Sequence, residues 1–344
     1  MTATRTVHLA LQGGGAHGAF TWGVLDALLE DGRIGFEGLC GTSAGAMNAV
    51  VMAHGLLGGG RDGARAALRA FWLDVAAEGR IWSPVRPQPE ILRWFGIDPA
   101  IGLAASHAAF EAFTRTFSPY QFNPFDFNPL RNVIQRHVDF EALSQPHCLK
   151  LFVCATNVRS GKVRIFDNAA MSADALLASA CLPQLFRAVE IDGEAYWDGG
   201  YMGNPVLYPL FYRTTSSDIV VVHVNPIARD EVPRTPEAIA NRVNEISFNS
   251  SLMREMRAIA FAARLVEEGW LRDEYRDRIR AMHMHSIRDD ALMAELTLAS
   301  KLSPDLAFLT TLHDYGREVA RRWLAAHFDD LGVRSSVDVR AEFL

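Results

Sequence analysis

The stretch Gly41-Thr42-Ser43-Ala44-Gly45 limits this chain more than any other, with the helix-forming run Ala46-Met47-Asn48-Ala49-Val50-Val51-Met52 directly behind it. Ahead of it, Ile34 to Cys40 carries apolar residues at 34, 36, 39 and 40, with turn-forming glycines between. The pattern predicts a short strand, a sharp turn and a helix, the setting in which Gly-x-Ser-x-Gly marks a nucleophile elbow. Glycines on either side of the serine remove Cβ atoms that would clash with neighbouring strand and helix. The serine then sits at a helix N-terminus, where unpaired N–H groups and the positive end of the dipole favour a developing negative charge. The same residues also fit a plain helix N-cap after a glycine turn, so the choice depends on the rest of the chain.

The 344 residues are 49% hydrophobic and 22% charged, ordinary for a globular protein with a sizeable core. A net charge of −6 argues against a nucleic-acid partner. Cys40, Cys148, Cys154 and Cys181 form no C-x-x-C pair and lie in apolar surroundings, which reads as reduced core thiols of a cytoplasmic protein. Neither a secretory leader nor a run of about 18 apolar residues is visible. Basic residues are nearly all arginine; the lysines are Lys150, Lys162 and Lys301.

Near the N-terminus, Val7 to Leu11 runs into Gln12-Gly13-Gly14-Gly15-Ala16-His17-Gly18, then into Ala19–Glu30 with apolar residues at helical spacing. Strand, glycine loop and helix follow one another. Gly13, Gly15 and Gly18 match G-x-G-x-x-G, but a dinucleotide site wants an acid about 20 residues on, at the tip of the second strand. Glu37 comes too early and the serine elbow stands in that place. Consecutive glycines supply instead a chain of exposed N–H groups suited to an anion. Arg61 to Glu78 is an amphipathic helix. Residues 81–127 are rich in proline and aromatic residues, and read either as a lid or wall for an apolar substrate or as a satellite core. Leu149–Asn157 and Asp218–Asn225 have the continuous apolar character of buried strands. Lys162–Phe166 alternates, Ala173–Leu182 is helical, and Val189–Trp197 is a strand pair leading to Asp198-Gly199-Gly200. From about Pro236 the pattern is mainly helical, with a strand at Arg280–Ile287.

Taken in order, Gly13-Gly14-Gly15-x-x-Gly18, Gly41-Thr42-Ser43-Ala44-Gly45 and Asp198-Gly199-Gly200 resemble the patatin-like phospholipase family. Ala178-Ser179-Ala180-Cys181-Leu182-Pro183 resembles the segment upstream of that family's Asp-Gly-Gly. The resemblance spans roughly residues 7–225 and implies an α/β fold, with a mainly parallel central sheet sandwiched by helices. A mainly helical C-terminal extension over residues 230–330 follows it. The resemblance also implies a lipid acyl ester hydrolase of phospholipase or lysophospholipase type, with Ser43 as nucleophile and Asp198 as its base. The oxyanion hole falls to the loop N–H groups of Gly13, Gly14, Gly15 and Ala16. Gly18, Gly41, Gly45, Gly199 and Gly200 complete the motifs. His17 stands where many members carry Arg or Lys, a difference expected to alter charge at the mouth of the site. No cofactor or metal is called for.

Two other readings stay open on the residues alone. An α/β-hydrolase triad would take His223 as the base, in the chain order Ser, Asp, His. A non-catalytic module would use the glycine loop for a phosphate. His283 and His285 alternate on a strand without the Asp/Glu/Cys set a metal wants. A lipid substrate implies work at membrane surfaces by a cytoplasmic protein. Leu252, Met253, Met256 and Ile259 read first as an ordinary packed helix face, with a membrane-facing amphipathic stripe as the alternative.

Overall fold

The computed structural model describes residues 4–82, 112–114, 116–145, 149–272 and 281–344. In chain order the main elements are β1 (Arg5–Leu11), α1 (Gly18–Asp31), β2 (Ile34–Thr42), α2 (Ala44–Trp82), α3 (Pro129–His137), β3 (Lys150–Asn157) and β4 (Val163–Asp167). They continue with α4 (Ala173–Ser179), β5 (Val189–Ile191), β6 (Glu194–Asp198), β7 (Asp218–Val222), α5 (Pro236–Glu267), β8 (His283–Ile287) and α6 (Leu306–His327). These match the expected elements to within a few residues. The amphipathic helix of 61–78 is the second half of α2, whose backbone leaves helical geometry at Gly59 and Gly60.

The strands form one sheet, hydrogen-bonded in the succession β5-β6-β3-β2-β1-β7-β8, with β4 also paired to β3. β2, β1, β7 and β8 run parallel, as does β3 against β2. Both faces are covered, and alternation along each strand divides the core in two. Leu9, Leu11, Leu39, Leu151, Val153, Val220 and Val222 share one cluster with residues of α1, α2, α4 and α6. Ala10, Cys40, Phe152, Cys154, Ile219 and Val221 share another with Leu252, Met256 and Ile259 of α5. Strands buried on both sides read as unbroken apolar runs, as these do. Leu252, Met256 and Ile259 are therefore ordinary core, and no membrane-facing stripe exists at those positions. The C-terminal part is built into the same unit: β8 extends the sheet beside β7, and α6 packs on α1.

The site is set up by an edge-sharing arrangement on β3. β4 takes up one edge, pairing Phe152 through Thr156. The other edge is divided end to end: Gly38–Thr42 of β2 pairs with residues 150–154, and Tyr196–Asp198 of β6 pairs with residues 155–157. Thr42 is thus registered with Cys154 and Asp198 with Ala155, one step further on. The residue after Thr42 is Ser43, so the ladder itself delivers Ser43 and Asp198 to one spot.

Helix α6 approaches α1 through two glycines. A Cβ on Gly23 would run into the carbonyl of His313, and one on Gly316 into the carbonyl of Phe20. Backbone atoms cannot swing away as side chains do, so Gly23→Ala and Gly316→Ala should each destabilise by about 1–3 kcal/mol. Gly58→Ala, whose new methyl meets nothing within 4 Å, should stay within about 1 kcal/mol of the parent. Thermal unfolding followed by circular dichroism separates the two classes.

Candidate active site

Ser43 adopts φ 53°, a left-handed backbone shared, among the described non-glycine residues, with Asp126 and Asp192. Such a conformation costs of order 1–3 kcal/mol and persists only where the surroundings impose it. Here they do. The Ser43 N–H donates to Ser179 Oγ at 2.8 Å, its carbonyl accepts from Met47 N–H at 3.0 Å to open α2, and Thr42 Oγ1 donates to the Gly203 carbonyl at 2.6 Å. Gly41 and Gly45 face each other across the turn, and a Cβ on Gly45 would strike the Leu11 carbonyl at the end of β1. The elbow closes only because these two positions lack side chains.

Asp198 ends β6 and is buried, 2% exposed. Its N–H donates to the Cys181 carbonyl at 2.8 Å and its carbonyl accepts from Thr156 Oγ1 at 2.9 Å, so the backbone is pinned from both sides. The carboxyl accepts the Gly200 N–H at 2.7 Å, and the nearby Ser43 side chain favours its charged form. Burial pushes its pKa up to about 7, against the pull of these groups and of the Lys301 charge. None of the groups acting on it is a histidine. Gly199 packs on the Cys154 carbonyl and Gly200 on the Phe248 ring, with room for no Cβ at either.

The glycine loop lies beside the elbow. A Cβ on Gly13 would come within 2.8 Å of Ser43 Cβ, and one on Gly18 within 2.6 Å of Ala44 Cβ. Gly13 is not a spare donor: its N–H is held by Asn204 Oδ1 at 2.6 Å, and its carbonyl by Asn225 Nδ2 at 3.0 Å. Of the four loop positions expected to offer N–H groups, Gly14, Gly15 and Ala16 are the ones that lead into a helical turn, where the first amides have no carbonyl partner of their own. Gly15 has φ 58° and presses on the Lys301 carbonyl.

His17 does not reach the mouth of the site as a charge. It is 3% exposed, Nε2 lies 2.7 Å from Ser300 Oγ, and burial with the nearby Lys301 charge lowers its pKa to about 3. His223 points elsewhere too: its Nε2 meets Ser286 Oγ at 3.1 Å, its ring stacks on Phe343, and burial holds it neutral with a pKa of about 3. His285 and His283 both turn to Asp218, at 3.1 and 3.4 Å. Glu37 accepts the N–H groups of Thr215 and Ser216, far from any nucleotide geometry. Cys40, Cys154 and Cys181 are free, buried thiols with raised pKa values. Cys148, Trp94, Phe95 and most of the 81–127 stretch lie outside the described residues.

A model of the patatin-like phospholipase family matches residues 9–210. The chain belongs to that family. The crystal structure of VipD from Legionella pneumophila is similar over 95% of this chain and 68% of that one, with 17% identity and a TM-score of 0.43. Among curated proteins none matches the sequence. Among the described residues, no helix of this patatin-like chain is long and apolar enough to cross a membrane.

Sequence reasoning missed Asn204, Gln12, Asn225 and Asn249. Gln12 Nε2 donates to Asn249 Oδ1 at 2.9 Å, and Gln12 Oε1 accepts from the N–H groups of Val224 and Asn225. This buried amide network fixes the loop from below. Nothing local marks these residues, because the bonds that tie Gln12 and Gly13 to Asn249 and Asn204 span about 190–240 positions of the chain.

The raised Asp198 pKa has a consequence for stability. Between the unfolded value, about 3.9, and about 7, the folded protein keeps a proton that the unfolded chain has released. This group therefore removes stability as pH rises through that window. Asp198→Asn carries no such charge, so it should melt higher than the parent near pH 8, and the advantage should disappear near about pH 4. Thermal melts of both proteins at the two pH values check this.

Proposed function

We propose that this protein hydrolyses carboxylic esters of lipids through a Ser43–Asp198 dyad and an acyl-serine intermediate. The observation that carries the reading is the strand register that brings Ser43 beside a buried Asp198, whose charged form the Ser43 side chain favours, with no imidazole acting on that carboxyl. Residues 7–225 supply the dyad and the loop. A serine hydroxyl is a poor nucleophile until a base takes its proton. A carboxyl with a pKa near neutrality is a stronger base than an ordinary aspartate and is still substantially ionised at pH 7.

In the first half-reaction Asp198 takes the Ser43 proton while Oγ bonds to the ester carbonyl carbon. The carbonyl oxygen gathers negative charge facing the N–H groups of Gly14, Gly15 and Ala16, where one donor is typically worth about 10²–10³ in rate. The ester C–O bond then breaks and Asp198 returns the proton to the departing alcohol. A water molecule repeats the sequence on the acyl-serine, releasing the fatty acid and restoring Ser43. Phospholipid or lysophospholipid is the proposed substrate class, drawn from the family, and contact with lipid surfaces is proposed with it.

Groups that act as one unit lose activity non-additively. Ser43→Ala and Asp198→Asn should each nearly abolish turnover of a soluble aryl ester, and the double variant should be scarcely worse. His17→Ala and His223→Ala should keep most activity if folded. A loss of about 10³-fold in either would transfer the base to histidine. A fluorophosphonate probe should label the parent and not Ser43→Ala; failure to label the parent would favour a non-catalytic module. Product analysis across phospholipid, lysophospholipid and glyceride vesicles assigns the substrate, and co-flotation with those vesicles tests surface binding.

A further inference from the structure

The glycine loop and Asp198 are both approached by a residue that neither motif contains. Lys301 lies in the turn Ala299–Leu302 before α6 and is one of three lysines in a chain that otherwise uses arginine. Its carbonyl sits against Gly15 so closely that a Cβ there would collide with it. Its ammonium donates to Asn225 Oδ1 and to Asn244 Oδ1, each at 2.8 Å. Asn225 in turn holds the Gly13 carbonyl through Nδ2 at 3.0 Å. The lysine Nζ also stands 5.3 Å from the centre of the Phe248 ring, the ring that packs on Gly200 next to Asp198. The turn itself is tied down, since Asn241 Oδ1 accepts the Leu298 N–H at 2.9 Å and Ser300 Oγ meets His17.

We propose that Lys301 is a positioning residue of the Ser43–Asp198 site. Its ammonium fixes the glycine loop through Asn225 and supplies the positive potential that faces the Asp198 carboxyl. The proposal rests on the dyad reading and adds the C-terminal part of the chain to the machinery. A compact ammonium suits this place, with two short bonds to amide oxygens and a ring face beside it.

The surrounding charges set the pH behaviour. Lys301 faces Asp198 from the end of β6 and Glu245 from α5, and Glu245 is already paired with Arg229 and Arg242 at 2.5 and 3.1 Å. His17 from the glycine loop is neutral. Asp198 faces Ser43, Lys301, the Cys154 and Cys181 thiols and the Tyr201 phenol. Loss of solvent around the ammonium lowers the Lys301 pKa to about 8, with Glu245 and Asp198 opposing the fall. Activity should therefore rise through about pH 7, as Asp198 ionises, and fall above about pH 8, as Lys301 loses its charge. The two groups interact, so the limbs belong to the pair.

The test is kcat/KM for a soluble aryl ester across about pH 5 to 10 for the parent, Lys301→Met, Lys301→Arg and Ser43→Ala. Lys301→Met should move the acid limb to higher pH, lose about fivefold at pH 7 for the first unit of that movement and about tenfold for each further unit, and lack the alkaline fall. Lys301→Arg should keep the acid limb and also lack the alkaline fall, because a guanidinium stays protonated. A folded Lys301→Met with the parent's profile overturns the proposal. If that variant does not fold, a parent rate that stays flat from about pH 8 to 10 overturns it. Turnover surviving in Ser43→Ala would sink the dyad reading itself; an inactive Ser43→Ala beside an unchanged Lys301→Met sinks only the lysine.

Discussion

Everything in the site depends on how two strands share one edge of β3. β4 occupies the far edge, so β2 and β6 must line up end to end along the near one. Where β2 stops, its chain turns at Ser43; where β6 stops, it turns at Asp198. The serine and the aspartate lie 155 positions apart in sequence (198 − 43), yet ladder registers of Thr42 with Cys154 and Asp198 with Ala155 make them neighbours. A one-residue slip would also exchange the two faces of the strand. The double-sided core guards against that, with Leu151 and Val153 on one side and Phe152 and Cys154 on the other.

The same burial that secures the register makes the chemistry plausible. A carboxyl in water is too acidic to accept a serine proton readily. Placed beside β3 at the end of β6, between the Cys181 carbonyl and Thr156, Asp198 loses solvent and its pKa climbs towards neutrality. The Gly200 N–H, the Ser43 hydroxyl and the Lys301 charge then bring it part of the way back. A carboxyl that titrates near pH 7, as the proposed dyad requires, thus emerges from opposing influences, at a cost in stability that the rest of the core must offset.

Much of the fold was legible in the sequence. Continuous apolar runs at 149–157 and 218–225 announced doubly buried strands, and the helical spacing after Gly18 and Ala44 announced α1 and α2. The elbow was legible because its glycines answer a local need: no Cβ fits where Gly45 meets β1. Two readings needed the third dimension. His17 looked like a residue at the mouth of the site but is buried and neutral against Ser300. Gly13 looked like a free donor but gives its N–H to Asn204. Periodicity and motif spacing do not report which amide a distant side chain consumes.

The sequence by itself determined the local pieces: strand, glycine loop and helix, the serine elbow, and the aspartate before two glycines. These are short-range matters of backbone sterics and turn chemistry, which a few neighbouring residues settle. Only the tertiary structure decided that Ser43 lies beside Asp198, that Asn204 and Asn225 hold Gly13, and that Lys301 presses on Gly15 of the loop. Each of these is a contact between residues more than 150 positions apart. It exists only once the sheet has set the register and both faces have been covered, so that water no longer screens the charges from one another.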